Sequence, residues 1–272
     1  MSVPESLRAT YRKKKTLRGM QAERAVKRTT FSRIEANPGN TLYVYVPKLN
    51  GNEVLVSGSL ALVFDIDLSG GEANNFLVQN VTRALVDRLH VKFGGETLQD
   101  TVGYGIYKIF DDLFLSEEER DKRIQEGIQS EDLCKIRSGA GDKKTSGIDA
   151  EKKLNEIYGS KYRIRLDHQI LTDHGVFYPQ PLYKDLTFEI TFANAAHVVN
   201  GSDTTKLKYK LTNIQLEYEM IRSKTLADEA HRVYSSGKEF AYDHVKRSQV
   251  VTFKKSTDTR KNIKIDAQKR SL

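Results

Sequence analysis

Three short segments contain the side chains that acid–base or metal chemistry needs: Asp167-His168, Asp173-His174 and Tyr242-Asp243-His244. Such chemistry requires histidines and carboxylates that converge from different elements of the fold. Neighbouring residues on a strand point to opposite faces, and neither H-x-H nor H-E-x-x-H spacing occurs in the sequence. Turn-forming aspartates and surface histidines explain these segments, so the sequence predicts no catalytic residue, no metal site and no cofactor.

Two glycine-containing segments match phosphate-binding loops only in part. Residues 139–145 lack the G-x-x-x-x-G-K-[ST] spacing, and Gly103-Tyr104-Gly105 lacks the rest of a dinucleotide fingerprint. The single Cys134 has no partner for an internal disulfide and no paired histidine motif. We therefore expect loops and turns at these positions, without a nucleotide site or a nucleophile.

The elements that must position any functional side chain are mostly strands. Apolar residues alternate with polar ones, or run continuously between turn signals, over 42–46, 54–67, 88–93, 162–166, 186–192, 206–221, 250–254 and 263–265. Helical spacing predicts helices over 104–115, 116–125 and 223–234, the second of which begins with a capping box of Ser116 and Glu119. About eight strands with helical insertions indicate an antiparallel sandwich or barrel instead of alternating βαβ units.

The segment 206–221 changes phase in its middle. Its apolar residues occupy odd positions before Thr212-Asn213 and even positions after it: Leu207, Tyr209 and Leu211, then Ile214, Leu216, Tyr218 and Met220. A β-bulge at Thr212-Asn213 keeps both halves facing inward, and it leaves Gln215 and Glu217 in solvent. Two shorter strands joined by a tight turn are the alternative.

Charge is distributed unevenly along the chain of 272 residues. The net charge is +8, yet residues 34–245 are acidic, whereas residues 1–33 contain ten basic and two acidic residues and residues 246–272 contain nine and two. Residues 1–36 therefore resemble a basic, largely disordered arm, with some helix near residues 20–26. Contact with nucleic acid or another polyanion is predicted for Arg12, Lys13, Lys14, Lys15, Arg18, Arg24, Lys27 and Arg28. A solubilising tail is the alternative.

Nothing in the sequence predicts export or a membrane span. The N-terminus reaches the basic run at 12–15 without an apolar stretch, and the longest unbroken apolar run covers only residues 60–64. A lone cysteine fits a reducing compartment. We expect a soluble intracellular product.

Several segments resemble the double jelly-roll major capsid proteins, in particular those of Polinton-type transposons and adintovirus-like DNA viruses. The residues that carry the resemblance are 171–175 (LTDHG), 186–190 (LTFEI), 209–218 (YKLTNIQLEY) and 237–244 (GKEFAYDH). The resemblance covers residues 38–272 and consists of strand patterns, without a catalytic signature.

The resemblance implies an all-β fold, an antiparallel jelly-roll β-sandwich of about eight strands with short helical insertions and a basic N-terminal arm. It divides the chain into the arm (1–36), a first jelly roll (37–255, with a long surface excursion at 127–160) and a basic connector (256–272) toward a second jelly roll that this chain lacks. The chain is then a fragment or a truncated gene product.

The function that the resemblance implies is that of a structural virion protein, not an enzyme. The chain is expected to be a building block of the major capsid protein that self-assembles into an icosahedral shell. Its partners are other capsid subunits, arranged at full length as trimeric pseudo-hexagonal capsomers, together with packaged DNA or inner capsid components that contact the arm. Its location is the virion, after synthesis in the host cytoplasm, with nuclear assembly as an option.

Two other functions compete with this one. The first is a nuclear or DNA-associated binding protein that uses its basic arm. Such an arm has the same composition as a capsid arm that faces a genome, but no groove-binding motif is recognisable in the sequence. A β-sandwich hydrolase requires two or three carboxylates that converge in a deep pocket.

Overall fold

Strands contain more of the described residues than helices do. A computed structural model describes residues 23–31, 35–69, 75–131, 134–135, 161–172, 176–200 and 208–245. The strands are β1 (Glu23–Thr30), β2 (Thr41–Tyr45), β3 (Glu53–Val56), β4 (Ala61–Ser69), β5 (Phe76–Leu77), β6 (Val86–Phe93), β7 (Glu96–Val102), β8 (Tyr162–Arg165), β9 (Val176–Phe177), β10 (Leu186–Phe192), β11 (Val199–Asn200) and β12 (Lys208–Arg222). The helices are α1 (Val81–Ala84), α2 (Tyr104–Asp112), α3 (Glu117–Asp121), α4 (Gln169–Thr172), α5 (Ala195–Val198) and α6 (Lys224–Ser235), with a 3-10 turn at Ile124–Glu126.

The described strands form two antiparallel sheets, each with four strand positions, which we call lanes; two consecutive strands can share one lane. In the first sheet, β12 pairs with β1 on one side and with β4 and then β3 on the other. β3 and β4 therefore share one lane, and β9 and β8 pair with them to form the next lane. The second sheet has the order β2-β10-β6-β7, and β5 pairs with β11 in a small separate ribbon.

The order of the lanes defines a jelly roll. Numbered along the chain, the eight lanes lie in the order 1-8-3-6 in the first sheet and 2-7-4-5 in the second. Successive lanes alternate between the two sheets, except for the hairpin of β6 and β7 that turns at Gly94-Gly95. This is the connectivity of an eight-stranded jelly roll. The predicted fold class, an antiparallel jelly-roll β-sandwich of about eight strands, is confirmed.

Alternation along the strands builds the core between the sheets. On β2, Leu42 and Val44 are buried whereas Tyr43 and Tyr45 face solvent. The same period brings large side chains of both sheets into one apolar cluster, among them Phe64, Phe188 and Tyr209. Because the two inner faces interdigitate, each sheet withdraws the apolar face of the other from water.

The bulge predicted within β12 is present. The register with β4 shifts between Thr212 and Gln215, so that Asn213 and Ile214 lie opposite a single residue of β4. Asn213 has φ +53°, the left-handed conformation that one type of bulge requires, and its side-chain amide donates a 2.9 Å hydrogen bond to Asp65. The residues buried on both sides of the bulge are Tyr209, Leu211, Ile214, Leu216, Tyr218 and Met220. Leu207 lies outside the described residues.

A tyrosine on the inner face of β12 connects the two sheets. The hydroxyl of Tyr209 donates to the backbone oxygen of Ala193, directly after β10 of the second sheet. Burial raises the pKa of Tyr209 well above its ordinary value, so the hydroxyl keeps the proton that it donates. The polar end of the ring is therefore satisfied inside an apolar core.

Glu217 does not face solvent freely, and the prediction that it does is wrong. Its carboxylate lies between two arginines of the same sheet, 2.7 Å from Nε of Arg28 on β1 and 3.1 Å from Nη1 of Arg163 on β8. Alternation correctly places Glu217 on the outer face of β12. Side chains of other lanes cover it there, which the sequence of β12 alone does not reveal.

The N-terminal region contains a strand that the sequence did not predict. Residues 23–30 form β1, which pairs with β12 over its whole length, where we expected an arm with some helix near residues 20–26. Almost every side chain of β1 is exposed, so the strand has no apolar period to detect. Backbone pairing and the ion pairs of Arg24 with Glu219 and of Arg28 with Glu217 hold it in place.

The three predicted helices are present, with small differences in the residues at which they end. The capping box of Ser116 and Glu119 is present, although α3 ends at Asp121 and a 3-10 turn follows. α6 begins after the N-cap Ser223, as predicted. Within the described ranges, no helix is both long and apolar enough to span a bilayer. Much of the predicted arm lies outside the described residues, at positions 1–22. The same is true of most of the excursion, at 136–160, and of the whole connector, at 256–272.

Candidate assembly interface

The histidine of the Asp167-His168 segment is a core residue, which corrects its interpretation as a surface histidine. His168 is buried, its Nε2 is 3.0 Å from Oε1 of Gln99, and its Nδ1 accepts from the backbone N–H of Ile170. Asp167 points elsewhere and forms a 3.2 Å ion pair with Lys108. The two side chains therefore serve packing and anchoring, and they do not form an acid–base pair.

The Tyr242-Asp243-His244 segment lies against the Asp167-His168 segment, with the rings of Tyr242 and His168 5.3 Å apart between centroids. Asp243 accepts a 2.8 Å hydrogen bond from the side chain of Gln169, and Cys134 is buried. Asp173-His174 lies outside the described residues, as do residues 139–145. Among the residues that are described, no cluster of three or more His, Cys, Asp or Glu side chains is arranged to hold a metal ion.

Three of the predicted polyanion-contacting residues lie on β1. Arg24 and Arg28 are engaged by Glu219 and Glu217 of β12, and Lys27 is exposed on the same strand. The other five, Arg12, Lys13, Lys14, Lys15 and Arg18, lie outside the described residues. Contact of these residues with a polyanion stays a prediction.

Helix α2 packs closely against α1 and the start of β6. It begins after Gly103, whose φ of +71° is left-handed, and its second residue is Gly105. A Cβ atom at residue 105 would lie 2.1 Å from the backbone oxygen of Arg83 and 2.8 Å from that of Val86. Only glycine allows this approach, so α2 lies directly on α1 and on the start of β6.

Charged groups also hold the inner side of α2. Arg83 is buried and forms a 3.0 Å ion pair with Asp112 at the end of α2 and a 2.8 Å pair with Glu126 of the 3-10 turn. Burial by itself lowers the pKa of Arg83, but the carboxylates of Asp167, Glu126 and Asp112 outweigh it and raise that pKa above its ordinary value. Arg83 thus stays charged and links α1, α2 and the turn into one unit.

The outer side of α2 is apolar. Ile106, Phe110, Leu113 and Phe114, on the helix and the turn after it, are 59–76% exposed, and Tyr107 lies beside them. The spacing of these residues follows one face of the helix, and the rings of Phe110 and Phe114 meet with their centroids 5.3 Å apart. The sequence predicted an amphipathic helix here, but the apolar face is turned away from the core.

This apolar face, hereafter the α2 face, is as large as the largest apolar patches of monomeric proteins or slightly larger. Since an aromatic side chain contributes about 150–250 Å² when fully exposed, the five side chains together expose roughly 500–700 Å². The largest apolar patch of a typical monomer is about 300–600 Å², and such a patch commonly marks an interaction site. Exposed acidic residues of α3, Glu117 to Glu119, lie directly after it in the chain.

Comparison with known proteins adds only a distant structural likeness. No protein-family model matches the sequence, and no curated protein matches it. Among solved structures, the chain is similar to a quasi-atomic model of the PBCV-1 virus capsid, with 10% identity and a TM-score of 0.44. It is also similar to PBCV-1 VP54 fitted into a cryo-EM reconstruction of the virophage Sputnik, with 12% identity and a TM-score of 0.42. Each match covers 79% of this chain and 46% of the other, so this chain spans about half the length of either protein. A likeness this distant carries no argument about function.

Proposed function

We propose that this chain is a structural subunit that self-assembles into a closed protein shell, as a viral capsid protein does. The observation that carries the proposal is the α2 face, an apolar surface held outward by the buried pairs of Arg83. Such a surface is costly in water unless another protein covers it. The jelly roll beneath it supplies a rigid body that presents the face in one fixed direction.

The occupant of the α2 face in this proposal is a second jelly roll of the same kind. The acidic residues Glu117 to Glu119 beside the face complement the basic ends of a neighbouring copy, since residues 1–33 and 246–272 each carry a net positive charge. The apolar area approaches the roughly 800 Å² per partner of a standard interface, so neighbouring loops complete it.

The wider form of the proposal follows the resemblance described above. The full-length protein contains two jelly rolls and forms trimeric pseudo-hexagonal capsomers of an icosahedral virion, encoded by a Polinton-type element or a related DNA virus. The basic arm faces packaged DNA or inner capsid components. The proposal does not include the hydrolase alternative, because the carboxylates Asp185 and Glu189 in a depression beside β2 and β10 are each paired with a lysine.

Sedimentation velocity tests the role of the α2 face. The double variant Phe110→Ser/Phe114→Ser removes two of the largest exposed rings without touching the buried pairs of Arg83. We expect wild-type protein to form larger species over about 1–100 µM, the range of a micromolar interface, and the variant to associate at least about tenfold more weakly.

Val26→Ser is the matched control, because Val26 is an isolated exposed apolar residue on β1, 62% exposed. It should associate like wild type. A wild-type protein that stays monomeric throughout this range, or a double variant that associates equally well, contradicts the proposal.

A further inference from the structure

A second surface, separate from the α2 face, lies on the outer side of the second sheet. A depression of about 410 Å³ opens between β2, β10 and the loop that leads into β10, and three of its lining residues are Tyr43, Tyr45 and Tyr183. All three tyrosines are more than half exposed. The sandwich core does not need these rings, because they point away from it.

The backbone of β2 sets the spacing of two of the rings, and side-chain contacts hold the third. Tyr43 and Tyr45 alternate with buried residues of β2 and therefore emerge on the same face of the sheet, about 7 Å apart along the strand. The ring of Tyr183 makes a T-shaped contact with Phe93 at a centroid distance of 5.4 Å, and Nζ of Lys184 lies 5.3 Å from its centroid. The depression thus presents preorganised aromatic platforms, which lose little conformational entropy when a ligand binds.

Lys184 owes its position to Gly94. A Cβ atom at residue 94 would lie 2.4 Å from Cδ of Lys184, and the φ of Gly94 is +61° in the hairpin turn. The lysine therefore lies across the turn, beside Tyr183. This contact ties one wall of the depression to the hairpin of β6 and β7.

The charges around the depression cancel. Its three lysines each pair with a carboxylate: Lys48 with Asp185 at 3.0 Å, Lys92 with Glu189 at 2.6 Å and Lys184 with Glu96 at 3.2 Å. The paired groups keep free donor and acceptor capacity toward solvent, since an ammonium has three donors and a carboxylate about four acceptor positions. An anionic ligand gains little from lysines that are already neutralised, and an apolar ligand would have to desolvate these charges.

We propose that this depression binds a neutral saccharide chain. A pyranose ring has an apolar C–H face that stacks on an aromatic ring, and hydroxyl groups around its edge that donate and accept hydrogen bonds. Tyr43 and Tyr45 are spaced so that each contacts one of two successive sugar units, with Tyr183 on the opposite wall. The neighbouring lysine–carboxylate pairs hydrogen-bond to the hydroxyls. This proposal does not depend on the assembly function.

Isothermal titration of the full chain with uncharged tetrasaccharides tests the proposal. The probes are cellotetraose, maltotetraose and chitotetraose, with a heparin tetrasaccharide and a thymidine tetranucleotide as anionic comparisons. We expect at least one uncharged probe to bind with a Kd below about 10 mM, the weakest affinity such a titration resolves. Tyr45→Ala and Tyr183→Ala should each weaken it at least about fivefold, the lower end for one aromatic stacking platform.

Val102→Ala is the control variant, because Val102 is an exposed apolar residue of β7 outside both the depression and the α2 face. It should bind like wild type, and thermal unfolding should show that all three variants remain folded. Three results overturn the proposal: no uncharged probe binds, binding is unchanged in the Tyr45 and Tyr183 variants, or only the anionic probes bind.

Discussion

At residue 213 the backbone of β12 adopts φ +53°, a left-handed conformation. After glycine, asparagine is among the residues that tolerate this conformation best. The hydrogen bond from its amide to Asp65 adds a side-chain interaction between β12 and β4 at the point where their register shifts. One residue thereby reverses the parity of the strand, and leucines at odd and even positions enter the same core.

Because of the bulge, we expect truncation of two leucines at odd and even positions of β12 to cause similar losses of stability. Leu211→Ala and Leu216→Ala should each lower the free energy of unfolding by about 2–5 kcal/mol, because both side chains are buried in one core cluster. Urea unfolding with a reversible transition measures both values. A large loss for one leucine and almost none for the other shows that the register of β12 is different.

Gln215→Ala is the control on the same strand, and it should change stability by less than about 0.5 kcal/mol because Gln215 is only partly buried on the outer face. Glu217 is unsuitable as a control. Its replacement leaves Arg28 and Arg163 without their shared carboxylate.

At the scale of elements, α1, α2 and the 3-10 turn act as one helical unit beside the sandwich. Arg83 of α1 connects them through Asp112 and Glu126, and the close approach of Gly105 fixes the distance between α1 and α2. The apolar side of α2 is exposed because the inner side is already occupied by these buried charged groups. The α2 face is therefore a consequence of the ion cluster.

Arg83→Met should destabilise the protein by about 3–5 kcal/mol. The substitution leaves the buried carboxylates of Asp112 and Glu126 without their central partner, and removing one member of a buried ion pair is much more costly than removing an exposed one. Thermal and urea unfolding measure the loss.

Arg88→Met provides the comparison, because Arg88 pairs with Asp100 by two 2.7 Å hydrogen bonds at the surface. This variant should lose less than about 1 kcal/mol. Equal losses for the two variants indicate that the Arg83 cluster does not hold the unit together.

At the scale of the whole molecule, charge is divided between a basic pair of ends and an acidic centre. Residues 1–22 contain six basic residues and one acidic residue, and they precede a strand whose arginines are already paired with Glu217 and Glu219. We therefore expect the basic residues before β1, including Arg12 to Lys15 and Arg18, to contribute more to polyanion binding than Arg24 and Arg28 do.

Deletion of residues 1–22 should weaken binding to double-stranded DNA and flatten its salt dependence. The slope of log K against log salt should decrease by about 0.9 for each phosphate contact that is lost, because each contact releases a condensed counterion. Fluorescence anisotropy with two unrelated DNA sequences measures affinity and sequence preference together.

The double variant Arg24→Gln/Arg28→Gln is the control, and it should retain most of the affinity of the full chain. Unchanged binding after the deletion indicates that the segment has no polyanion role and acts as a solubilising tail.

The local pattern of residues determined much of the sandwich. Alternation located β2, β6, β10 and β12, the capping box located the start of α3, and the change of parity at Thr212-Asn213 predicted the bulge. These features depend on which side chains share a face and on turn or cap chemistry within a few residues. Both are properties of a short stretch of chain, so the sequence alone was sufficient for them.

Only the tertiary structure decided which surface each face meets. The spacing of Ile106, Phe110 and Phe114 predicted an amphipathic helix, yet its outward direction depends on Arg83, whose partners are 29 and 43 residues away in the chain. β1 forms because β12, some 190 residues later, offers it a backbone edge. Burial of Glu217 and His168 and the tyrosine depression likewise depend on distant lanes and loops. Periodicity in the sequence shows which residues share one face of a strand or helix. Which distant segment packs against that face depends on long-range pairing, and a local pattern does not show it.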